Sequence, residues 1–343
     1  MSTKSESNNS GATDTRRHPE LTDEQEALLH TFRKELLEEG AISPEGDTLG
    51  TQYDHILLRF LRARKWDLPN AKAMIKDCLE WRRTVCDVGV LELYRRTDPY
   101  NYPEREEVFK YWPLWYHKTD KKGRPLNIQS LGGIDVAALY KVVTPERFWE
   151  IIVSTTEAAM REVLPGSSYA AGRLVDDILI IVDLKGFSLV KFWQMRNLVR
   201  DTLKLTQDYL PETLGTLAVI NAPYGFSTIW NAVKAWLSKE TQEKVYIFGS
   251  DYQAFLLELV DPENLPKSLG GKCTCEENGG CEMSYAGPWM EGRTERREKW
   301  LKGERERPGL GLEDLEDHHP KSPVEQVVEA AGGDSAPAAV EQS

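Results

Sequence analysis

Residues 178–186 read ILIIVDLKG, five aliphatic side chains in succession from Ile178 to Val182, closed by Asp183, Leu184, Lys185 and Gly186. So short a run, with no polar residue to mark a wet face, predicts a strand buried on both sides, as in a parallel sheet. A helical stretch near Lys191 to Leu205 follows, and Leu217 to Ile220 repeats the strand signal before Asn221-Ala222-Pro223. A helix capped by Ser227, a strand at Val245 to Phe248 and a helix at Tyr252 to Leu259 complete a β-α-β-α series. Working back toward the N-terminus, Trp112 to Tyr116, a DKKG turn at Asp120 to Gly123 and the alternating Leu126, Ile128 and Ser130 predict strands. Thr144-Pro145-Glu146 opens a long helix that runs to Leu164. The fold class is α/β, with a mixed, largely parallel sheet.

Ahead of the sheet the period changes from two to that of a helix. Thr22-Asp23-Glu24-Gln25, followed by Leu28, Leu29, Phe32, Leu36 and Leu37, reads as a capped amphipathic helix that the Gly40 to Gly50 loop ends. Leu57, Leu58 and Leu61 recur at helical spacing, and Asp67 with Pro69 caps a third helix through Met74, Cys78 and Trp81. The division expected is a disordered tail over 1–20, a helical N-terminal domain over 21–86, the sheet domain with its C-terminal extension over 87–302, and an acidic disordered tail over 303–343. Both tails are rich in small and charged residues and poor in large apolar ones, too poor to offset the entropy of ordering.

Composition narrows the functions. The 343 residues carry 43 basic and 55 acidic side chains, a net charge of −12. The stretch 303–343 holds ten acidic against three basic residues, so the remainder carries about −5, too acidic for a protein whose main work is gripping nucleic-acid phosphates. An anionic partner must meet a local basic site. No N-terminal apolar run marks an export signal, and no aliphatic run approaches a bilayer span of about 20 residues, so a cytosolic chain is expected. Five cysteines, an odd number, argue against a disulfide framework.

Enzyme signatures fail. Gly270-Gly271-Lys272 has Pro266 where a P-loop needs its first glycine and Cys273 where it needs Ser or Thr, and neither a GxSxG elbow nor HExxH occurs. Cys273, Cys275 and Cys281 offer three soft donors, but the spacing supplies no fourth ligand, so an ordinary reduced loop is expected and no metal is assigned. On the helix Ser227 to Ser238, Ile229, Trp230, Val233, Trp236 and Leu237 share one face. That face suits either core packing or a movable wall that meets a membrane, and periodicity does not choose between them. Arg59, Arg62, Arg64 and Lys65 on one short helix read as a solvated face or an anion contact.

The segments LLRFLRARKWD, YHKTDKKGRPL, DLKGFSL, VINAPYGFSTIW, ENLPKSLGGKC and AGPW, in that order over roughly residues 22 to 290, resemble the CRAL-TRIO lipid-binding proteins, and most of all the fungal phosphatidylinositol/phosphatidylcholine transfer proteins. The resemblance implies a sheet that floors a deep apolar pocket, closed by a gating helix that Ser227 to Ser238 matches, whose Ile229, Trp230, Val233, Trp236 and Leu237 both cover the acyl chains and meet the bilayer; Gly225 and Gly249, near the ends of that segment, are the expected hinges. It implies a phosphatidylinositol head-group site of Arg64, Glu212, Thr241 and Lys244. The members that bind phosphatidylcholine place two hydroxyl residues where this chain has Ile178 and Ile180 and a tyrosine where it has Asn127, while Tyr116 is kept. The implied protein is a monomeric, non-enzymatic carrier without a cofactor that meets membranes transiently, at Golgi or endosome, supplies lipid kinases, and has a second ligand other than phosphatidylcholine. The competing class is a lipid sensor or scaffold that recruits a partner without transferring lipid.

Overall fold

Side chains of a strand alternate between two faces, and here that alternation separates a solid core from a hollow. The computed structural model describes residues 21–312 and 314. The expected tail over 1–20 and most of the one over 303–343 fall outside the described residues. Helices α1 (Asp23–Glu38), α2 (Asp54–Ala63) and α3 (Leu68–Thr84) form the N-terminal unit, followed by α4 (Gly89–Arg96) and α5 (Arg105–Tyr111). Strands β1 (Leu114–Thr119) and β2 (Pro125–Ser130) form a hairpin, and α6 (Val136–Val142), α7 (Pro145–Ala158), a π-helical turn over Ala159–Val163 and α8 (Leu164–Ala171) lead to β3 (Ile178–Asp183). Next come α9 (Leu189–Tyr209), β4 (Leu214–Ile220), α10 (Phe226–Val233), α11 (Lys239–Glu243), β5 (Val245–Ile247), α12 (Gln253–Leu259), α13 (Cys281–Ser284) and α14 (Arg293–Leu301).

The sheet has the order β1-β2-β3-β4-β5, antiparallel at the hairpin and parallel from β2 onward. Because every parallel step moves in the same direction, right-handed crossovers put α7, α9 and α10 on one face. The other face is solid. Leu126, Leu179 and Ala218 are fully buried there and join one core with Leu256 of α12, Trp289 and Trp300. Gly166 is required in this packing, since a Cβ on it would lie 2.8 Å from the Cα of Trp289.

Local signals explain the helix starts. Thr22 and Gln25 form a reciprocal capping box on α1, Asp67 caps α3 and Thr144 caps α7. The helix expected to end at Leu164 continues instead to Ala171 through the π turn, which absorbs the extra residue. The expected Ser227 to Ser238 helix is broken, because α10 ends at Val233, tightens into a 3₁₀ turn over Lys234–Trp236, and restarts as α11 under a Ser238 cap. The expected disorder from 303 onward also needs correction. Pro308 accepts from Arg296, Arg305 grips both oxygens of Asp314 at 2.7 and 2.9 Å, and Gly309 packs on the carbonyl of Arg161. Main-chain and ion-pair contacts, invisible to composition, hold this stretch.

Two buried carboxylates fasten the helix that walls the hollow. Glu157 at the end of α7 accepts from Arg82 of α3 at 2.6 and 2.9 Å and from Arg161 at 2.6 Å. Glu162 in the π turn accepts from Arg293 of α14 at 2.6 and 2.9 Å and from the Tyr94 hydroxyl. Burial alone raises the Glu157 carboxyl, but Arg82 and Arg161 outweigh it and hold it below its ordinary 4.5. The sign follows: stability from this pair is present above pH 4.5 and is lost as the pH falls through and below that value. Removing one partner strands a buried charge, so Glu157→Ala is expected to lower the unfolding free energy by about 3 to 5 kcal/mol. Urea unfolding at pH 7 checks this, and the deficit relative to wild type should shrink at acid pH.

Candidate functional site

The second sheet face floors a deep apolar cavity. Tyr116, Asn127, Ile180 and Leu217 lie in one register row across β1 to β4, and Leu114, Gln129, Val182 and Val219 in the next row on the same side. All eight line the cavity, as does Ile178. Phe148, Ile151 and Ile152 of α7 and Phe192, Met195 and Val199 of α9 wall it, and Ile229, Trp230 and Val233 of α10 with Leu237 close it. The Ile178 to Val182 run is therefore dry on both faces for two different reasons, a packed core under one and a cavity over the other.

Polar groups enter the cavity at few points. Near β1 and β2, Gln129 Nε2 donates to Asn127 Oδ1 at 2.8 Å and the Tyr116 hydroxyl bonds Asn127. Burial pushes the Tyr116 phenol up, so it stays protonated. At the amino ends of β4 and β5, Glu212 and Lys244 face each other with Oε2 and Nζ 3.4 Å apart, both half-buried, and Thr241 lines the same region. Glu212 sits in the left-handed region (φ 59°), which turns the chain from α9 into β4. The Lys244 backbone is fixed because its carbonyl accepts from Leu217 N at 2.9 Å. Thr241 is placed by Ser238, whose hydroxyl accepts the Thr241 N–H at 3.1 Å. A cation and a carboxylate that only partly satisfy each other can engage an anionic group and its neighbouring hydroxyls.

Of the four expected head-group residues, the structure brings three together. Arg64 lies in a separate surface groove with Trp81, Lys204 and Tyr209, because Lys65 and Trp66 take positive φ (52° and 66°) and turn the chain at the end of α2. Its guanidinium has one long bond, 3.3 Å to the Ala63 carbonyl, and no carboxylate partner among the described residues. The neighbouring Lys65 reaches Glu240 of α11 at 2.8 Å, next to Thr241. Arg59 is not on a solvated face: it is 3% exposed and donates to the Asp176 carbonyl at 2.8 Å.

The gate residues, expected also to meet the bilayer, face inward instead. None of Ile229, Trp230, Val233, Trp236 and Leu237 is exposed, and Trp236 stacks near Phe192 at 6.4 Å. The exposed apolar side chains near the gate are Leu189, Val190 (67%) and Trp193 on α9 and Tyr224 (109%) before α10. Sequence reasoning missed them, although 189, 190 and 193 form a stripe distinct from the inward 192, 195 and 199. Both segments leave the carboxyl ends of β3 and β4, tied by Asn221 donating to Asp183 at 2.7 Å. Gly225, at φ +82° with open space around it, begins α10 as a hinge requires. Gly249 is instead pinned, its carbonyl accepting from Asn221 at 3.0 Å. The three loop cysteines also gain a neighbour from far away in sequence, His117 of β1.

Comparison with known proteins places these features in context. Residues 109–271 match the CRAL/TRIO domain and residues 26–77 the CRAL/TRIO N-terminal domain. The chain is 39% identical over 285 residues to the Sec14 cytosolic factor of Schizosaccharomyces pombe, covering 83% of this chain and 92% of that one. It is 42% identical over 272 residues to the SEC14 cytosolic factor of Kluyveromyces lactis, covering 79% and 86%. It is 38% identical over 268 residues to the phosphatidylinositol/phosphatidylcholine transfer protein SFH9 of Arabidopsis thaliana, covering 78% of this chain and 44% of that one. The crystal structure of Sfh5 superposes with a TM-score of 0.56 at 16% identity over 75% of this chain and 89% of that one, a likeness of fold. Among the described residues no helix is long and apolar enough to cross a membrane.

Proposed function

The chain belongs to the CRAL/TRIO family of Sec14-type proteins, and on that footing we propose that it carries phosphatidylinositol between membranes. The observation that carries this reading is the half-buried Glu212–Lys244 pair, with Thr241, at the polar edge of an apolar cavity. Lys244 takes the phosphate and Glu212 accepts from inositol hydroxyls. Arg64, which has no carboxylate partner among the described residues, supplies a second cation from its separate groove once the Lys65–Glu240 contact yields. No covalent step is needed, so the protein is a carrier and not an enzyme.

A diacyl lipid has about thirty methylenes, and at ~0.8 kcal/mol each its removal from water is worth roughly 25 kcal/mol. Lipid therefore does not pass through free solution, and exchange takes place with the protein docked on a bilayer. There one apolar environment replaces another and the head group decides the preference. Leu189, Val190, Trp193 and Tyr224 serve as the docking edge, with Arg196 bonded at 2.9 Å to the Trp193 carbonyl as its basic partner for anionic lipid. Delivery to lipid kinases and work at Golgi or endosomal membranes belong to the same proposal, by analogy with the family.

The second ligand differs from phosphatidylcholine. Ile178 and Ile180 put aliphatic carbon on the cavity floor, and the nearby polar groups Tyr116, Asn127 and Gln129 bond one another. A choline phosphate there leaves acceptors unpaired, at about 1 to 3 kcal/mol for each buried group. A sterol or another neutral lipid fits better.

Three measurements test these assignments. Alanine at Lys244 or Glu212 removes a charge-assisted bond worth about 1.5 to 3 kcal/mol, so vesicle-to-vesicle transfer of labelled phosphatidylinositol should drop on the order of ten- to a hundredfold with far-ultraviolet dichroism unchanged. Transfer that survives both changes refutes the head-group site, and wild-type binding without transfer at catalytic protein dose favours the sensor reading. Ile178→Ser with Ile180→Thr should restore phosphatidylcholine exchange. Val190→Glu with Trp193→Glu should weaken vesicle sedimentation while the lipid recovered from the protein stays the same.

A further inference from the structure

The AGPW segment and the cysteine loop before it return to the edge of the sheet at β1. The β1–β2 register breaks between Tyr116 and Thr119, where Lys118 takes a positive φ of 45°. Such a bulge re-aims the side chains beside it, and His117 ends fully buried with neither ring nitrogen hydrogen-bonded. A buried polar atom without a partner is costly, so an imidazole with both nitrogens unmet calls for a ligand.

Three sulfurs surround it. Cys273 and Cys281 are buried and Cys275 is half-buried, and the Cys273 and Cys275 sulfurs lie 3.5 Å apart. Cys275 is at φ 46°, and Cys281 begins α13 with its sulfur 3.2 Å from the Cys273 carbonyl. One donor atom from each of His117, Cys273, Cys275 and Cys281 falls within 4.8 Å of all the others. A tetrahedral centre with metal–sulfur bonds of about 2.3 Å sets its donors about 3.8 Å apart, so the four atoms need only small rotamer adjustments.

We propose that His117, Cys273, Cys275 and Cys281 form a closed, structural site for a soft divalent cation of the zinc class. Thiolate and imidazole donors select zinc over calcium or magnesium, and four protein ligands leave no open position for catalysis. Binding releases one proton from each of the three thiols, and the site then carries a net charge of −1. The Lys118 ammonium, which lies within hydrogen-bond reach of Cys273 and donates to the Glu263 carbonyl at 2.9 Å, offsets that charge. A Cys273–Cys275 disulfide explains less, since it leaves both ring nitrogens of His117 unmet. Tyr116, next to His117, and Tyr285, four residues after Cys281, both line the cavity. The metal thereby fastens the C-terminal segment to the edge strand and fixes one cavity wall.

The experiment uses the full chain, purified under reducing conditions without metal affinity resin. Elemental analysis should find about one equivalent of zinc per chain. Exchange with Co²⁺ should produce the intense visible bands of tetrahedral cobalt together with thiolate-to-cobalt charge transfer. Cys275→Ser and His117→Asn should lose or markedly weaken these bands, and Cys86→Ser, remote from the site, should keep them. Zinc below about a tenth of an equivalent, with no tetrahedral cobalt spectrum, overturns the proposal. Because the metal content and cobalt spectrum are read on the wild-type chain, misfolding of a variant does not rescue the idea. A Cys273–Cys275 disulfide in the native protein, detected by mass spectrometry after alkylation, also overturns it.

Discussion

An apolar hollow in water is unstable toward collapse, because bringing its walls together removes apolar surface and restores dispersion contacts. Everything else in this protein depends on holding that hollow open. The α7 wall cannot be pressed onto the sheet without breaking one of two buried carboxylate clusters, Glu157 with Arg82 and Arg161, or Glu162 with Arg293 and Tyr94. The first reaches into the N-terminal helical unit and the second into the C-terminal helix, so the units on either side act as abutments. Buried ion pairs often add little net stability over an apolar replacement. Here a hydrophobic substitute lacks the directionality that spaces a wall from a floor.

The same logic explains why the N-terminal unit is more than an appendage. Its helices pack their own core around Phe32, Leu57 and Ile75, and that core extends to Met160 of the π turn and Tyr209 of α9. Trp81 stacks on Tyr209 at 4.2 Å with the rings nearly parallel, while the Cys78 sulfhydryl donates to the Tyr209 carbonyl at 3.3 Å. Tyr209 closes the long α9 wall three residues before Glu212, so the helical unit braces the polar edge of the cavity as well as its side.

Much of this was legible in the sequence, and the exceptions have physical reasons. Capping residues and period changes located most elements, because Thr22, Asp67 and Thr144 act on backbone only three residues away. The apolar run Ile178 to Val182 told that both faces of a strand are dry, but an isoleucine facing a cavity and one facing a core look alike in sequence. Side-chain direction was less accessible. Trp230 and Trp236 belong to an amphipathic stripe that the family likeness assigns to a gate meeting the bilayer, whereas the structure leaves neither exposed, a direction that helical spacing does not encode. Arg64 follows its motif but is turned aside by the left-handed Lys65 and Trp66. His117 is separated from Cys273 by most of the sheet domain, and only the pairing of β1 with the returning C-terminal segment brings them together.

The gate itself is held in a way suited to exchange. Among the described residues, one side-chain hydrogen bond joins it to α9, from Gln207 Nε2 to the Trp236 carbonyl at 3.1 Å, worth about 1 kcal/mol. The rest is apolar contact, Ile229, Val233 and Trp236 against the cluster around Phe192 and Met195. Such contact is non-directional and is made equally well with acyl chains, so a bilayer can replace what the gate loses on opening while bulk water cannot. At its far end the segment is anchored differently, because the Lys244 carbonyl joins the β4–β5 ladder. Gly225 can therefore turn while Thr241 and Lys244 stay in place, and the groups that discriminate head groups need not move when the acyl chains change partners.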